Sequence, residues 1–290
     1  MYCIMMEQMS ALDEALKLLN GLNNDSVKRA NIIEYLQMKK TIAVFAYASL
    51  IWNPFEHIEK TIPNCCLMGY TKGFFCQDFI YRGTQDCTAL TMGLKSCQNG
   101  FVKGYLLMSS IHQSIPFIEA FVKRETPIDV DGTKMDIYTY DFLPVLMPDG
   151  NTIEWALTCL VNCQSQFYIS TILSIQQQAE IISRSYGING TNFQYLHNTL
   201  NIYQNLGLVD TFTEEIEQLY ATVLLCRYKL AEQDRQWLDT FDQLLTKDER
   251  QLAMKSQKIK NIQIKSRHLL NRMYSVTLTT IPTYHRMLSV

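Results

Sequence analysis

Four groups of residues have types and spacing suited to chemistry. Tyr47, Ala48, Ser49 and Leu50 follow directly on the apolar run Ile42 to Phe45, which reads as a buried strand. Small residues straight after such a strand let the backbone approach a ligand and offer it N–H donors. An ordinary tight turn has the same composition. Arg82 beside Gly83 suits an anion-contacting corner, because a guanidinium reads a carboxylate bidentately; a surface arginine before a turn glycine is the alternative. Glu125 follows Arg124 at the end of a helical pattern. In a dry pocket such a carboxylate moves protons, and in water it is a solvated charge. Tyr195 falls on the core face of a helix that Asn192 is expected to cap after a glycine turn.

No metal or organic cofactor is expected. The nine cysteines show no Cys-x-x-Cys spacing: Cys65 and Cys66 are adjacent, and Cys159 and Cys163 lack a second matching pair. A zinc site of four ligands cannot be assembled from them. They read as free thiols in a reducing, cytoplasmic compartment. The net charge of -2 argues against a nucleic-acid partner, since phosphate neutralisation needs excess Lys and Arg. With 47% apolar and 19% charged residues the chain is globular in composition. No stretch approaches the roughly 18 apolar residues of a membrane span, and Met1 to Ser10 lacks the form of a secretory signal.

These residues need a framework. Residues 1–40 read as two helices, through Ala11 to Leu19 and through Val27, Ala30, Ile33 and Leu36, with Gly21 to Asp25 between them. A loop is expected from Pro54 to about Asn64, then a strand from Cys65 to Phe75. Ala89–Leu94 and Gly100–Leu107 are expected to form a hairpin about a turn at Ser96 to Gly100, because Asn99-Gly100 separates two apolar runs. Ile115, Ile118, Phe121 and Val122 share a helical face over 114–123, and Pro127 stops that helix. Met135–Leu146 and Ile153–Val161 read as strands about a turn at 148–151, and 172–185 as a helix. A long helical pattern from Thr213 to Lys265 includes the basic stretch 255–265, read as a solvated face. The tail from Ser275 is expected to be loosely held.

Several of these segments resemble one family in order. Tyr47-Ala48-Ser49-Leu50-Ile51-Trp52 is similar to the Tyr-Gly-Ser-Leu-Ile-Trp signature of the ChaC family, the glutathione-specific γ-glutamylcyclotransferases. Gly69-Tyr70 and Trp155 to Leu160 resemble its strands. Tyr81-Arg82-Gly83-Thr84 resembles its His-Arg-Gly-Thr stretch, and Arg124-Glu125 its Arg-Glu pair. Gly187-x-x-Gly190-x-Asn192-x-x-Tyr195-Leu196 resembles its closing motif, with Leu206 to Asp210 after it. The likeness spans about residues 42–211. It implies an α+β fold, a γ-glutamylcyclotransferase-like mixed, partly closed β-barrel with flanking helices. The expected domains are residues 41–212, with helical additions at 1–40 and 213–290 that are candidate surfaces for a protein partner.

The resemblance also implies a small-molecule substrate, glutathione or another γ-glutamyl peptide. It implies Glu125 as the catalytic residue and Tyr47, Ala48, Ser49, Leu50, Arg82, Gly83 and Tyr195 as substrate-binding residues. The α-amine of a γ-glutamyl group closes on its own γ-carbonyl, releasing 5-oxoproline and Cys-Gly. An intramolecular nucleophile already has high effective molarity, so one carboxylate relaying a proton suffices. A partly desolvated pocket would raise its pKa towards working pH. Ala48 stands where the family has Gly. If that Gly adopts positive φ, Ala costs about 1 kcal/mol or more. If it serves close approach, a methyl narrows the pocket. A scaffold acting as a binding module, or a cyclotransferase for another γ-glutamyl compound, therefore remain as alternatives.

Overall fold

Strand β1 (Thr41–Ala46) is buried from Ile42 to Ala46 because it has a neighbour on each edge and cover on each face, which is why its sequence runs apolar without alternation. It pairs antiparallel with β3 (Ala89–Ser110) and parallel with β5 (Ile153–Val161) at Val44 and Leu157. With β2 (Lys60–Asp78) and β4 (Tyr138–Leu146) these strands close a five-stranded barrel in the order β1-β3-β2-β4-β5. The barrel is thus closed, where a partly closed one was expected. Its β2–β4 seam rests on one described pair, Cys66 with Leu146. The computed structural model describes residues 2–128 and 132–233. The helical pattern through Trp237, Phe241, Leu244 and Leu245, the basic stretch 255–265 and the tail from Ser275 lie outside the described residues.

Two expectations about the long strands need correcting. The loop anticipated up to Asn64 is instead partly strand, since Lys60 to Ile62 pair with Met108 to Leu106. Pro63 and Asn64 interrupt pairing without ending the strand: the register shifts between Ile62 and Cys65, and Asn64 has φ 60, the local distortion of a bulge. The hairpin about Asn99-Gly100 does not form either. Leu94 to Ser96 pair with Lys72 to Tyr70, and Phe101 and Val102 with Met68 and Leu67. Both segments therefore lie along the same partner, and the Asn-Gly step is an irregularity inside one long strand. Local turn chemistry was overridden by tertiary pairing.

Helices flank the barrel. Residues 1–227 form one compact unit, in which α1 (Tyr2–Lys17) packs against α2 (Ser26–Lys39) and α4 (Ser114–Glu125). Asp25 caps α2, accepting from Lys28 N at 2.8 Å. α3 (Ser49–Trp52) is a single turn. α5 (Ile175–Arg184) opens on a capping box of Ser174 and Gln177. A two-residue ribbon, β6 (Tyr186–Gly187) and β7 (Gly190–Thr191), leads into α6 (Asn192–Asn205). α7 (Thr213–Gln233) buries Ile216, Leu219 and Val223. No described helix is long and apolar enough to cross a membrane. The cap of α6 is Thr191, not Asn192: Thr191 Oγ1 accepts from Gln194 N at 3.0 Å. Asn192 is fully buried, and its amide exchanges bonds of 2.8 and 2.9 Å with Leu90 O and N, pairing with a strand edge as another strand would.

Inside the core lies an ion pair. Lys72 Nζ sits 2.5 Å from Asp210 Oδ2, the side chains being 1% and 0% exposed. The ammonium also lies 3.4 Å from the centre of the Tyr203 ring. Asp210 accepts from the backbone N–H groups of Lys103 and Phe212, each at 3.0 Å. Burial pushes Lys72 down to about 8 against the pull of Asp210. Asp210→Asn leaves a charge in the core without its counter-ion, and the expected loss is about 3–5 kcal/mol by denaturant unfolding. Adding Lys72→Met should recover most of it.

Candidate active site

A cavity of about 310 Å³ is lined by the turn after β1, the last turn of α4, the corner at the end of β2, and Tyr195 of α6. Its size falls at the small end of the range for small-molecule sites. Each wall follows from local structure.

The turn after β1 is held from below. Tyr203 Oη donates to the carbonyl of Tyr47 at 2.6 Å, and Tyr47 Oη donates to that of Cys159 at 3.3 Å. Burial raises the Tyr47 phenol well above its usual value, so it acts only as a neutral donor. Ala48 has φ −141. The left-handed conformation that would have penalised alanine is absent, and its methyl meets only the question of space. Its carbonyl accepts from Ile51 N at 2.9 Å, which starts α3 directly after the strand. The N–H groups of Ser49 and Leu50 fall in the first turn, where no intrahelical acceptor exists.

Glu125 ends α4 because Thr126 is followed by Pro127, and the residue before a proline avoids helical geometry. Its carboxylate is 11% exposed. Arg124 binds it through Nη1 and reaches across the cavity edge: Nη2 donates to Ser49 Oγ at 3.1 Å and to Asn53 O at 2.8 Å, and Nε to Asn53 O at 3.0 Å. Burial lowers Arg124 from its ordinary value, yet a guanidinium stays charged in proteins. On the other side Cys159 Sγ lies 3.9 Å from Glu125 Oε2. Burial pushes that thiol far up, so it faces the carboxylate as a neutral group.

Asp78 builds the opposite corner. Its carboxylate accepts from Ile80 N, Tyr81 N and Arg82 N at 2.9, 2.8 and 3.2 Å. Burial raises its pKa, with those N–H donors and Arg82 pulling the other way. Ile188 N and Asn189 N, in the β6–β7 turn, donate to the carbonyls of Ile80 and Tyr81 at 3.1 and 2.8 Å. Arg82 Nη1 reaches Thr191 O and Gln194 Oε1 at 3.4 and 3.3 Å, and its guanidinium lies 5.9 and 5.8 Å from the rings of Trp52 and Tyr195.

Tyr47, Ala48, Ser49, Leu50, Arg82, Glu125 and Tyr195 thus line one cavity. Gly83 does not. A Cβ there would come 2.1 Å from Asp78 O and 2.4 Å from Ala89 N, so its glycine answers to packing behind the corner. Asp78, Tyr138 and Cys159 line the cavity too but were missed from the sequence. Asp78 had a signal, an acidic residue two before a turn. Tyr138 and Cys159 had none, for inward residues on strands look like core.

A closed mixed barrel of five strands with flanking helices is the architecture of the γ-glutamylcyclotransferase-like folds. A yeast γ-glutamylcyclotransferase specific to glutathione matches with a TM-score of 0.57 at 16% identity, over 66% of this chain and 98% of that one. A second crystal structure of such a yeast enzyme gives 0.52, over 64% and 99%. At that identity the likeness establishes the fold. The ChaC-like protein family model matches residues 42–225. A glutathione-specific γ-glutamylcyclotransferase of Schizosaccharomyces pombe is 31% identical over 175 residues, 56% of this chain and 82% of the relative. The chain belongs to the ChaC-like family.

Arg124→Lys keeps the charge but loses the planar fork that ties Glu125, Ser49 and Asn53 together. Losing a hydrogen bond to a charged group costs about 1.5–3 kcal/mol, so turnover of a γ-glutamyl substrate should fall roughly 10- to 100-fold in steady-state kinetics.

Proposed function

We propose that the protein degrades glutathione to 5-oxoproline and Cys-Gly, with Glu125 as its general acid and base. Membership of the ChaC-like family and the glutathione-specific relatives support the substrate. The observation that carries the mechanism is the carboxylate of Glu125, nearly removed from water and tied through Arg124 to the turn at Ser49 and Asn53. The charges lining the cavity suit the substrate as well. Arg82, Lys123 and Arg124 stand against Asp78 and Glu125, three cations to two carboxylates. Glutathione carries two carboxylates and one ammonium.

In this reading the substrate lies folded, its γ-carbonyl over the turn that follows β1. Glu125 takes a proton from the α-ammonium. The freed amine nitrogen bonds to the γ-carbonyl carbon, and negative charge gathers on that oxygen. The N–H groups of Ser49 and Leu50 are suited to meet it. The bond from the γ-carbonyl carbon to the cysteine nitrogen breaks as Glu125 returns its proton to that nitrogen, and the second proton of the ring nitrogen passes through the freed carboxylate to the departing amine, which leaves as an ammonium. Arg82 holds a substrate carboxylate, and the rings of Tyr195 and Trp52 wall the site. Arg124 sets a positive charge beside the carboxylate that takes the proton in the first step. The negative φ of Ala48 removes the left-handed penalty that would have weighed against an active enzyme. Free thiols, with glutathione as substrate, suit a cytosolic setting.

Purified protein given glutathione should release 5-oxoproline and Cys-Gly in equal amounts. Glu125→Gln should lower kcat about 10²- to 10⁴-fold with the fold intact by circular dichroism. No release at high enzyme concentration, or full activity in the glutamine variant, would overturn the assignment.

A further inference from the structure

Residues 1–40 precede the stretch that the family model matches, which starts at residue 42, yet they are built into the support of Glu125. The link between α1 and α2 is fixed by Arg29, a buried residue. Its Nη1 donates to the carbonyls of Leu22 and Asn23 at 2.8 and 2.7 Å, and its Nε to Asp13 Oδ1 at 2.7 Å. This link presents Asn20 to the edge of β4. The Asn20 amide donates to Tyr138 O at 2.8 Å and accepts from Tyr140 N at 3.2 Å. Gly21 follows with its Cα so close that a Cβ would fall 2.1 Å from Tyr140 O. Among the described residues β2 meets β4 only at Leu146, so the edge at 138–140 has no strand beside it. A side-chain amide offers the backbone the same donor and acceptor a strand would.

Tyr140 carries this contact to the active site. Its ring lies 5.6 Å from that of Phe121 on α4, and its hydroxyl 2.8 Å from Thr126 Oγ1. Thr126 follows Glu125 directly and closes α4, its N–H bonded to Val122 O at 2.9 Å. On the partner strand, Tyr140 stands opposite Cys159, the residue beside the other oxygen of Glu125.

We infer that Tyr140 is a positioning residue for Glu125 and that the helical pair at residues 1–40 holds Tyr140 in place through Asn20. The inference rests on Glu125 being the base. A shift in the last turn of α4 displaces the carboxylate from the substrate amine, while the turn at 47–50 keeps its separate hold on Tyr203 through the Tyr47 carbonyl. Small misplacements of a reacting group are costly in rate, so the effect falls on kcat and spares KM.

In the full-length chain, Tyr140→Phe should lower kcat for glutathione about 10-fold with KM within about twofold. Thr126→Val, which deletes the same bond from its other end, should match it. Asn20→Ala should lower kcat about threefold, less because water reaches that edge. The double variant Asn20→Ala/Tyr140→Phe should be no slower than Tyr140→Phe alone, because the two act in series. Amide hydrogen exchange supplies a readout independent of turnover: residues 122–126 should exchange about 10-fold faster in Tyr140→Phe and in Asn20→Ala, with 42–46 unchanged. Wild-type kcat in Tyr140→Phe or Asn20→Ala, unequal effects of Tyr140→Phe and Thr126→Val, additive losses, a rise in KM instead, or unchanged exchange at 122–126 would each overturn the inference. Inactivity of the wild type would instead sink the reaction assigned above, and the exchange measurement would decide the positioning role alone.

Discussion

The guanidinium of Arg124 is the constraint on which the site depends. Arg124 and Glu125 sit at the end of a helix, and Ser49 at the start of a turn 75 residues before Arg124 in the chain. Nothing in either segment's own backbone fixes their separation. One planar fork bonded to a carboxylate, a hydroxyl and a backbone carbonyl ties them together, beside the packing of Phe55 on Phe117 and Phe121 of α4. A cyclisation needs little from its catalyst beyond a base at the right distance from a folded substrate. In the reaction proposed for Glu125, that distance would be held by a side chain that titrates nowhere near neutral pH.

Much of this was legible in the residues, for definite reasons. The turn after β1 and the closing stretch at 187–196 carry special backbone demands, close approach or a cap, that only certain residue types meet, and such demands survive in short motifs. Glu125 was legible only beside its Arg and through family likeness, since a lone acid at a helix end is common. Gly83 was assigned to the wrong duty: the residue types are the same whether a glycine admits a substrate or a neighbouring carbonyl. Tyr138 and Cys159 were invisible because the site faces the barrel interior, where a wall residue has the sequence environment of a core residue. The supposed hairpin at Asn99-Gly100 failed because a turn signal is local, whereas strands of 19 and 22 residues find their register across the whole sheet.

The barrel shows a common answer to thin seams. Closing five strands leaves backbone groups without a strand opposite, and two asparagines take those places. Asn192 does so at Leu90 in the core, Asn20 at Tyr138 and Tyr140 from outside the family region. An amide suits the task because it carries a donor and an acceptor side by side. Propensity reasoning reads such asparagines as turn or cap residues, and for Asn192 it did so wrongly.

The ion pair in the core also sets an order of events during synthesis. Lys72 leaves the ribosome 138 residues before Asp210. Until the later residue arrives, the ammonium has no counter-ion and stays in water, so β2 cannot be sealed into its final place. A nascent chain that has made all five strands is still without the acid from beyond α6. Maturation of this fold is therefore gated by the synthesis of Asp210, well after its last barrel strand has been made.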